Sequence, residues 1–69
     1  MSKTFKMVTV VGTSPTSPQE AIRQGIADAS KSLRNMHWFE VQEMRGRIDD
    51  GEVAEFQVTM QIGLRVETD

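Results

Sequence analysis

Cysteine is absent from the 69-residue sequence, and histidine occurs only once, at His37. These two scarcities exclude disulfide bonds, thiolate metal sites and histidine-rich metal sites. A chain this short buries only a small core, and such domains usually gain stability from disulfides, a metal or subunit contacts. Subunit contacts are the support that remains, so we expect a homo-oligomer without a metal site.

An excess of basic residues is also missing. The 8 Lys and Arg stand against 10 Asp and Glu, which gives a formal net charge of −2. This balance argues against a general nucleic-acid binder. No apolar run approaches the roughly 18 residues that suggest a membrane span, and no signal-peptide pattern precedes the first apolar segment. We therefore expect a cytoplasmic protein that binds neither nucleic acid nor membrane.

The first half of the chain predicts a strand followed by a helix. Residues 3–12 are rich in β-forming side chains and end at a glycine, which is typical of a strand. Ser17-Pro18-Gln19-Glu20 is a helix start with a capping serine and a capping-box glutamate. Apolar residues then recur at helical spacing and predict one long helix over residues 18–36. The apolar positions are Ile22, Ile26, Ala29, Leu33 and Met36.

The second half predicts a β-hairpin. Residues 38–48 and 53–66 flank Asp49-Asp50-Gly51-Glu52, and Asp-Gly favours a tight hairpin turn. In the last strand, alternate residues from Ala54 to Val66 are apolar, so this face must pack on the helix. We expect an α+β fold in one domain over residues 1–69. A three-stranded antiparallel sheet with the third strand central would pack on one long helix.

Pairing Ile48 with Val53 fixes a hairpin register, and that register assigns each side chain to a face. Trp38 then lies on the polar face, opposite Gly63, while Arg45 and Arg47 lie on the helix side. The single tryptophan is either a stacking platform for a flat ligand or packing at a subunit interface.

Gln57 shares the polar face with Trp38 and could match the polar edge of a heterocycle, or simply be solvated. The register pairs Gln57 with Met44, roughly 20 Å along the strands from Trp38. One flat ligand could touch both only if a neighbouring subunit supplied one of them, or if a bulge shortened the gap.

Arginines are the remaining candidates for ligand contacts. Arg45, Arg47 and Arg65 could hold phosphate groups through bidentate hydrogen bonds, or form surface ion pairs with nearby glutamates. No nucleophile–base pair is visible, because the one histidine has no cysteine to act with. We therefore expect no catalytic residues and no enzymatic activity.

With these residues assembled, the chain resembles the dodecin family over nearly its whole length. The resemblance rests on five short segments in this order: Val11-Gly12-Thr13-Ser14, Trp38-Phe39-Glu40-Val41, Arg45-Gly46-Arg47-Ile48, Glu55-Phe56-Gln57-Val58 and Gly63-Leu64-Arg65-Val66-Glu67. Each segment is unspecific alone, but their order and spacing together are specific. The resemblance implies a strand–helix–strand–strand subunit that assembles into a hollow dodecamer.

The resemblance also implies a function. Dodecins store flavins as stacked pairs between symmetry-related tryptophans, which quench the light-excited ring by electron transfer. The family tryptophan corresponds to Trp38 and the glutamine at the isoalloxazine edge to Gln57, while Arg45 and Arg65 match arginines near the ligand phosphates. FMN is the expected flavin, with riboflavin, FAD or lumichrome as alternatives and coenzyme A as a further ligand. A structural or adaptor homo-oligomer without a cofactor is the competing hypothesis.

Overall fold

The structure, a computed structural model, describes residues 3–67 as three strands and one helix. In chain order they are β1 (Phe5–Ser14), α1 (Pro18–Ala29), β2 (Met36–Asp49) and β3 (Glu52–Arg65). The strands form one antiparallel sheet in the order β1-β3-β2. The predicted α+β fold, its β-α-β-β order and the central position of the third strand are confirmed. Each strand boundary lies within two residues of its predicted place.

The helix begins where the sequence predicts. The backbone N–H of Glu20 donates to the Ser17 Oγ at 3.1 Å, and Pro18 occupies the first turn, where its missing N–H costs nothing. The hairpin turn is also confirmed. Asp50 and Gly51 both have left-handed backbone angles, with φ of 51° and 77°, as a tight two-residue turn requires.

The predicted end of the helix is wrong, because α1 stops at Ala29 rather than at Met36. The Ser30 hydroxyl donates to the Ala27 carbonyl at 2.6 Å, and the next two backbone amides bond three residues back, which tightens the last turn. Asn35 then adopts a left-handed conformation, with φ of 62°, and turns the chain into β2. Met36 belongs to that strand, so the apolar periodicity ran past the helix into the next element.

The core lies between α1 and the central strand. Its buried apolar side chains are Ala21, Val58, Met60, Ile62 and Leu64. Four of the five come from alternate positions of β3, so the prediction that this strand presents a continuous apolar face to the helix is confirmed. Two glycines let α1 approach β1 closely, since a Cβ built on Gly25 would lie 3.0 Å from the Gly12 Cα.

The predicted hairpin register holds at both ends of β2 but is wrong in the middle. Trp38 pairs with Gly63 and Ile48 with Val53, as expected. A bulge at Gln42 shifts the intervening pairs by one residue until a second irregularity restores the register, so Gln57 pairs with Arg45 and not with Met44.

A one-residue shift moves every affected side chain to the other face of the sheet. Arg45 and Arg47 therefore lie on the face turned away from α1, and the prediction that they face the helix is wrong. The bulge has a clear physical consequence, since the uninterrupted register would have pointed these charges and Glu43 at the helix layer. We call the side of the sheet turned away from α1 the outer face; it carries Phe5, Trp38, Glu40, Arg45, Gln57, Gly63 and Arg65.

The helix covers β1 and β3 but leaves the same side of β2 bare. Large apolar residues of the hairpin are exposed. Phe39, Val41 and Met44 form a strip on the α1 side of β2, and Ile48 and Val53 lie beside the hairpin turn. Such a strip is the kind of surface that subunit contacts bury. Within residues 3–67, the helix is too short and too polar to cross a membrane.

Candidate functional site

Trp38 lies flat on the outer face, directly over Gly63. A Cβ built on that glycine would lie 2.5 Å from the indole atoms Cε2 and Cζ2. Only a residue without a side chain leaves room for the ring in this position. In the single chain Trp38 is 39% exposed, so it is covered from the sheet side and still accessible from outside. The predicted pairing of Trp38 with Gly63 is confirmed, and the glycine is the floor on which the indole rests.

Phe5 on β1 contacts the indole from across the central strand. The two ring centroids are 4.9 Å apart with an interplanar angle of 67°, an edge-to-face arrangement. Phe5 also packs edge-on against His37, at 5.4 Å. Phe5 was not predicted as part of the site. It reaches the outer face because β1 pairs Phe5 with Arg65 and Met7 with Gly63.

Glu40 holds the polar end of the same ring. The Trp38 Nε1–H donates to the Glu40 Oε2 at 2.9 Å, and the two residues share a face because they are two positions apart in one strand. This residue was also missed from sequence, and the Trp-x-Glu spacing was the available signal. Gly63, Phe5 and Glu40 together fix the plane and direction of the indole.

Gln57 lies in a hydrogen-bonded row at the other end of the outer face. The Arg45 Nε–H donates to the Gln57 Oε1 at 2.8 Å, and the Gln57 Nε2 donates to the Glu55 Oε1 at 2.9 Å. The Arg45 Nη1 in turn lies 3.6 Å from the Glu43 Oε1. The amide is thus held between a cation and an anion. Its oxygen points toward Arg45 and its nitrogen toward Glu55.

The four predicted ligand-binding residues fall into two separate pairs. Arg65 lies two positions from Gly63 on β3, near Trp38, whereas Arg45 contacts Gln57. Gly63 and Gln57 are six positions apart on β3, or roughly 20 Å. The bulge at Gln42 changes the face of Arg45 but does not shorten this distance. One chain alone does not bring Trp38 and Gln57 together, so a ligand that touches both needs a second subunit.

No metal centre is evident in the part of the chain that the structure describes, since residues 3–67 contain no group of three His, Asp or Glu side chains placed to hold an ion. The outer face instead offers a flat aromatic surface at one end and oriented hydrogen-bonding groups with a guanidinium at the other. This arrangement suits recognition of a planar heterocycle.

The fold and the outer face define a class: a small β-α-β-β protein with an indole laid on the open side of its sheet. Residues 4–67 match the family model described as Dodecin. The curated dodecin of Thermus thermophilus is 45% identical over 67 residues, which cover 97% of each chain. The chain therefore belongs to the dodecin family.

Solved structures agree with this assignment. The dodecin from Streptomyces davaonensis superimposes with a TM-score of 0.94 at 46% identity, covering 99% of this chain and 100% of that one. The dodecin from Streptomyces coelicolor gives a TM-score of 0.92 at 43% identity, covering 97% and 96% respectively. The similarity spans the whole β-α-β-β unit, so the predicted resemblance is confirmed.

Proposed function

We propose that this protein binds and stores flavin in a homododecamer, stacking flavin pairs between the Trp38 side chains of symmetry-related subunits. FMN is the flavin we expect, with riboflavin, FAD and lumichrome as alternatives. The observation that carries the proposal is the indole of Trp38, laid flat on Gly63 and exposed on its outer side. A fixed, accessible aromatic surface favours stacking with another flat π-system, because little ring freedom is lost on binding.

The polar groups of the outer face fit the rest of a flavin. The amide of Gln57 supplies a donor and an acceptor to the heterocycle edge, and the guanidiniums of Arg45 and Arg65 suit a phosphate. Because Trp38 and Gln57 lie far apart in one chain, the site combines residues of neighbouring subunits. The same arginines would serve the phosphates of coenzyme A, which we propose as a further ligand.

The proposed role of the protein residues is to hold the flavin and quench its light-excited state. We propose no catalysed reaction. A bound flavin would supply an electron acceptor when excited by light, and Trp38 would be the residue placed to donate the electron. Glu40 accepts the indole Nε1–H and holds the ring in place. Stacking between indoles also excludes water and dioxygen from the ring faces.

Assembly follows from the strip of exposed apolar residues on β2. A subunit contact there would bury Phe39 and Val41, which are 43% and 49% exposed in the single chain. It would also supply the second subunit that the site requires. The same strip supports the competing proposal, a structural or adaptor homo-oligomer in which Trp38 only packs between subunits.

Titration of free FMN and of riboflavin with the protein tests the proposal. We expect flavin fluorescence to fall to near zero at saturation, and Trp38→Ala to weaken binding by at least tenfold, since loss of an aromatic stacking partner costs on the order of 1.4 kcal/mol or more. Undiminished quenching by the Ala variant would contradict the role of Trp38.

Size-exclusion chromatography of the same variant separates the two candidate functions. An assembled Trp38→Ala variant without flavin binding supports the storage protein. A colourless wild-type protein whose assembly collapses in Trp38→Ala supports the structural oligomer.

A further inference from the structure

We propose that Arg45 is a positioning residue: it fixes the orientation of the Gln57 amide and thereby contributes to binding of every flavin, with or without a phosphate. This inference rests on the proposed flavin site and deepens it. The resemblance to dodecins assigned Arg45 only to ligand phosphates, and the sequence-derived register had placed it on the other side of the sheet from Gln57.

The hydrogen bonds around Gln57 carry the inference. Arg45 can only donate and the ionised Glu55 can only accept. The contacts of 2.8 Å from Arg45 Nε to Gln57 Oε1 and 2.9 Å from Gln57 Nε2 to Glu55 Oε1 are therefore compatible with one amide orientation. A flipped amide would set two donors against each other at Arg45 and two acceptors against each other at Glu55.

The fixed amide has one N–H and one oxygen lone pair left for a ligand. Its complement is a ligand edge where a ring N–H adjoins a carbonyl, as in the imide of the isoalloxazine ring system. Preorganisation raises affinity because the free protein has already lost the freedom that binding would remove. The bond to Gln57 uses only the Nε–H of Arg45, and the Nη1 amino group faces Glu43 at 3.6 Å. The remaining N–H groups of the guanidinium could still donate to a phosphate.

Ligands that differ only by a phosphate distinguish the two roles of Arg45. Affinities for riboflavin and FMN should be measured by fluorescence titration of the assembled protein and its Arg45→Met, Gln57→Leu and double variants. We expect Arg45→Met to lower riboflavin affinity about tenfold, which is the loss typical of one hydrogen bond to a charged group. The affinity for FMN should fall at least as much. In the Gln57→Leu background, the same change should cause no further loss of riboflavin affinity.

Two results would overturn the inference. In the first, Arg45→Met lowers the affinity for FMN but not for riboflavin. In the second, Arg45→Met lowers riboflavin affinity as much in the Gln57→Leu background as in the wild type. Lys31→Met is the control, because it removes one positive charge from the exposed turn that follows α1. Arg45→Lys keeps the charge but loses the fixed Nε–H. It should resemble Arg45→Met with riboflavin, and full riboflavin affinity in this variant would also count against positioning.

The ligand-free wild type, Arg45→Met, Gln57→Leu and double variant provide a measurement that does not depend on flavin. If Arg45 holds Gln57, the changes in Tm of the two single variants will not add in the double variant. Additive changes would overturn the contact itself. A wild-type protein that binds no riboflavin would instead refute the proposed function. The comparison of Tm changes in the single and double variants would still decide whether Arg45 positions Gln57.

Discussion

The indole of Trp38 rests on the backbone of Gly63, so close that a Cβ at residue 63 would lie 2.5 Å from two ring carbons. Two residues 25 positions apart in the sequence thus form one structural unit across β2 and β3. Phe5 packs edge-on to the ring and Glu40 accepts its N–H, so β1 contributes to the unit as well. The aromatic surface of the proposed site is therefore a property of the whole sheet.

Replacing Gly63 with alanine should displace the indole without unfolding the protein. The added methyl group meets ring atoms at the surface, and the side chain can move outward, whereas the backbone of β3 does not have to shift. We expect flavin affinity to fall by at least tenfold while Tm changes by only a few degrees. Thr59→Ala, on the same strand and face, is the control. Flavin binding by Gly63→Ala at wild-type affinity would show that the position of the ring on the sheet is unimportant.

Glu40 should restrict the motion of the indole in the ligand-free protein. Trp38 is the one tryptophan and the sequence has no tyrosine, so fluorescence reports this side chain alone. Glu40→Ala removes the acceptor of the Nε1–H, and we expect faster depolarisation in time-resolved anisotropy together with several-fold weaker flavin binding. Glu40→Gln keeps an acceptor and should stay near wild type. Equal anisotropy decays in all three proteins would mean that Gly63 and Phe5 hold the ring without Glu40.

Local sequence signals predicted most of the fold. The capping residues at Ser17 and Glu20, the Asp50-Gly51 turn and the apolar alternation of β3 each correspond to a short-range physical cause. The end of α1 could not be read in this way, because Leu33 and Met36 continue the helical spacing although the chain has already turned. Hydrophobic periodicity records which residues are buried, and a residue in the next strand can satisfy it too.

The candidate site was predictable at Trp38 and Gly63 but not at Arg45. A hairpin register extrapolated from the turn is correct only until a bulge intervenes, and nothing in the residues around Gln42 marks one unambiguously. The charges at Glu43, Arg45 and Arg47 were the useful hint, because a register that turns all three toward the helix side costs desolvation energy. Phe5 and Glu40 required the pairing of β1 and a side-chain hydrogen bond, which depend on tertiary structure.

We expect the proposed assembly to be sensitive to a single charge on the exposed strip of β2. Val41 is 49% exposed and lies in the middle of the strip, on the side of the sheet that carries α1. In a subunit contact its side chain would be desolvated, and a lysine ammonium there would be buried without a partner. We expect Val41→Lys to yield a smaller species in sedimentation-velocity experiments, and to lose flavin quenching although Trp38 and Gln57 are unchanged.

The loss of binding in Val41→Lys follows from the distance within one chain, since Trp38 and Gln57 are too far apart to hold the same ring. Gln24→Lys introduces the same charge on the exposed surface of α1 and should remain assembled and bind flavin. A Val41→Lys protein that sediments as a monomer and still binds flavin at wild-type affinity would show that one subunit forms a complete site. In that case the residues that contact the ligand would have to be sought around Trp38 alone, among Phe5, Glu40 and Arg65.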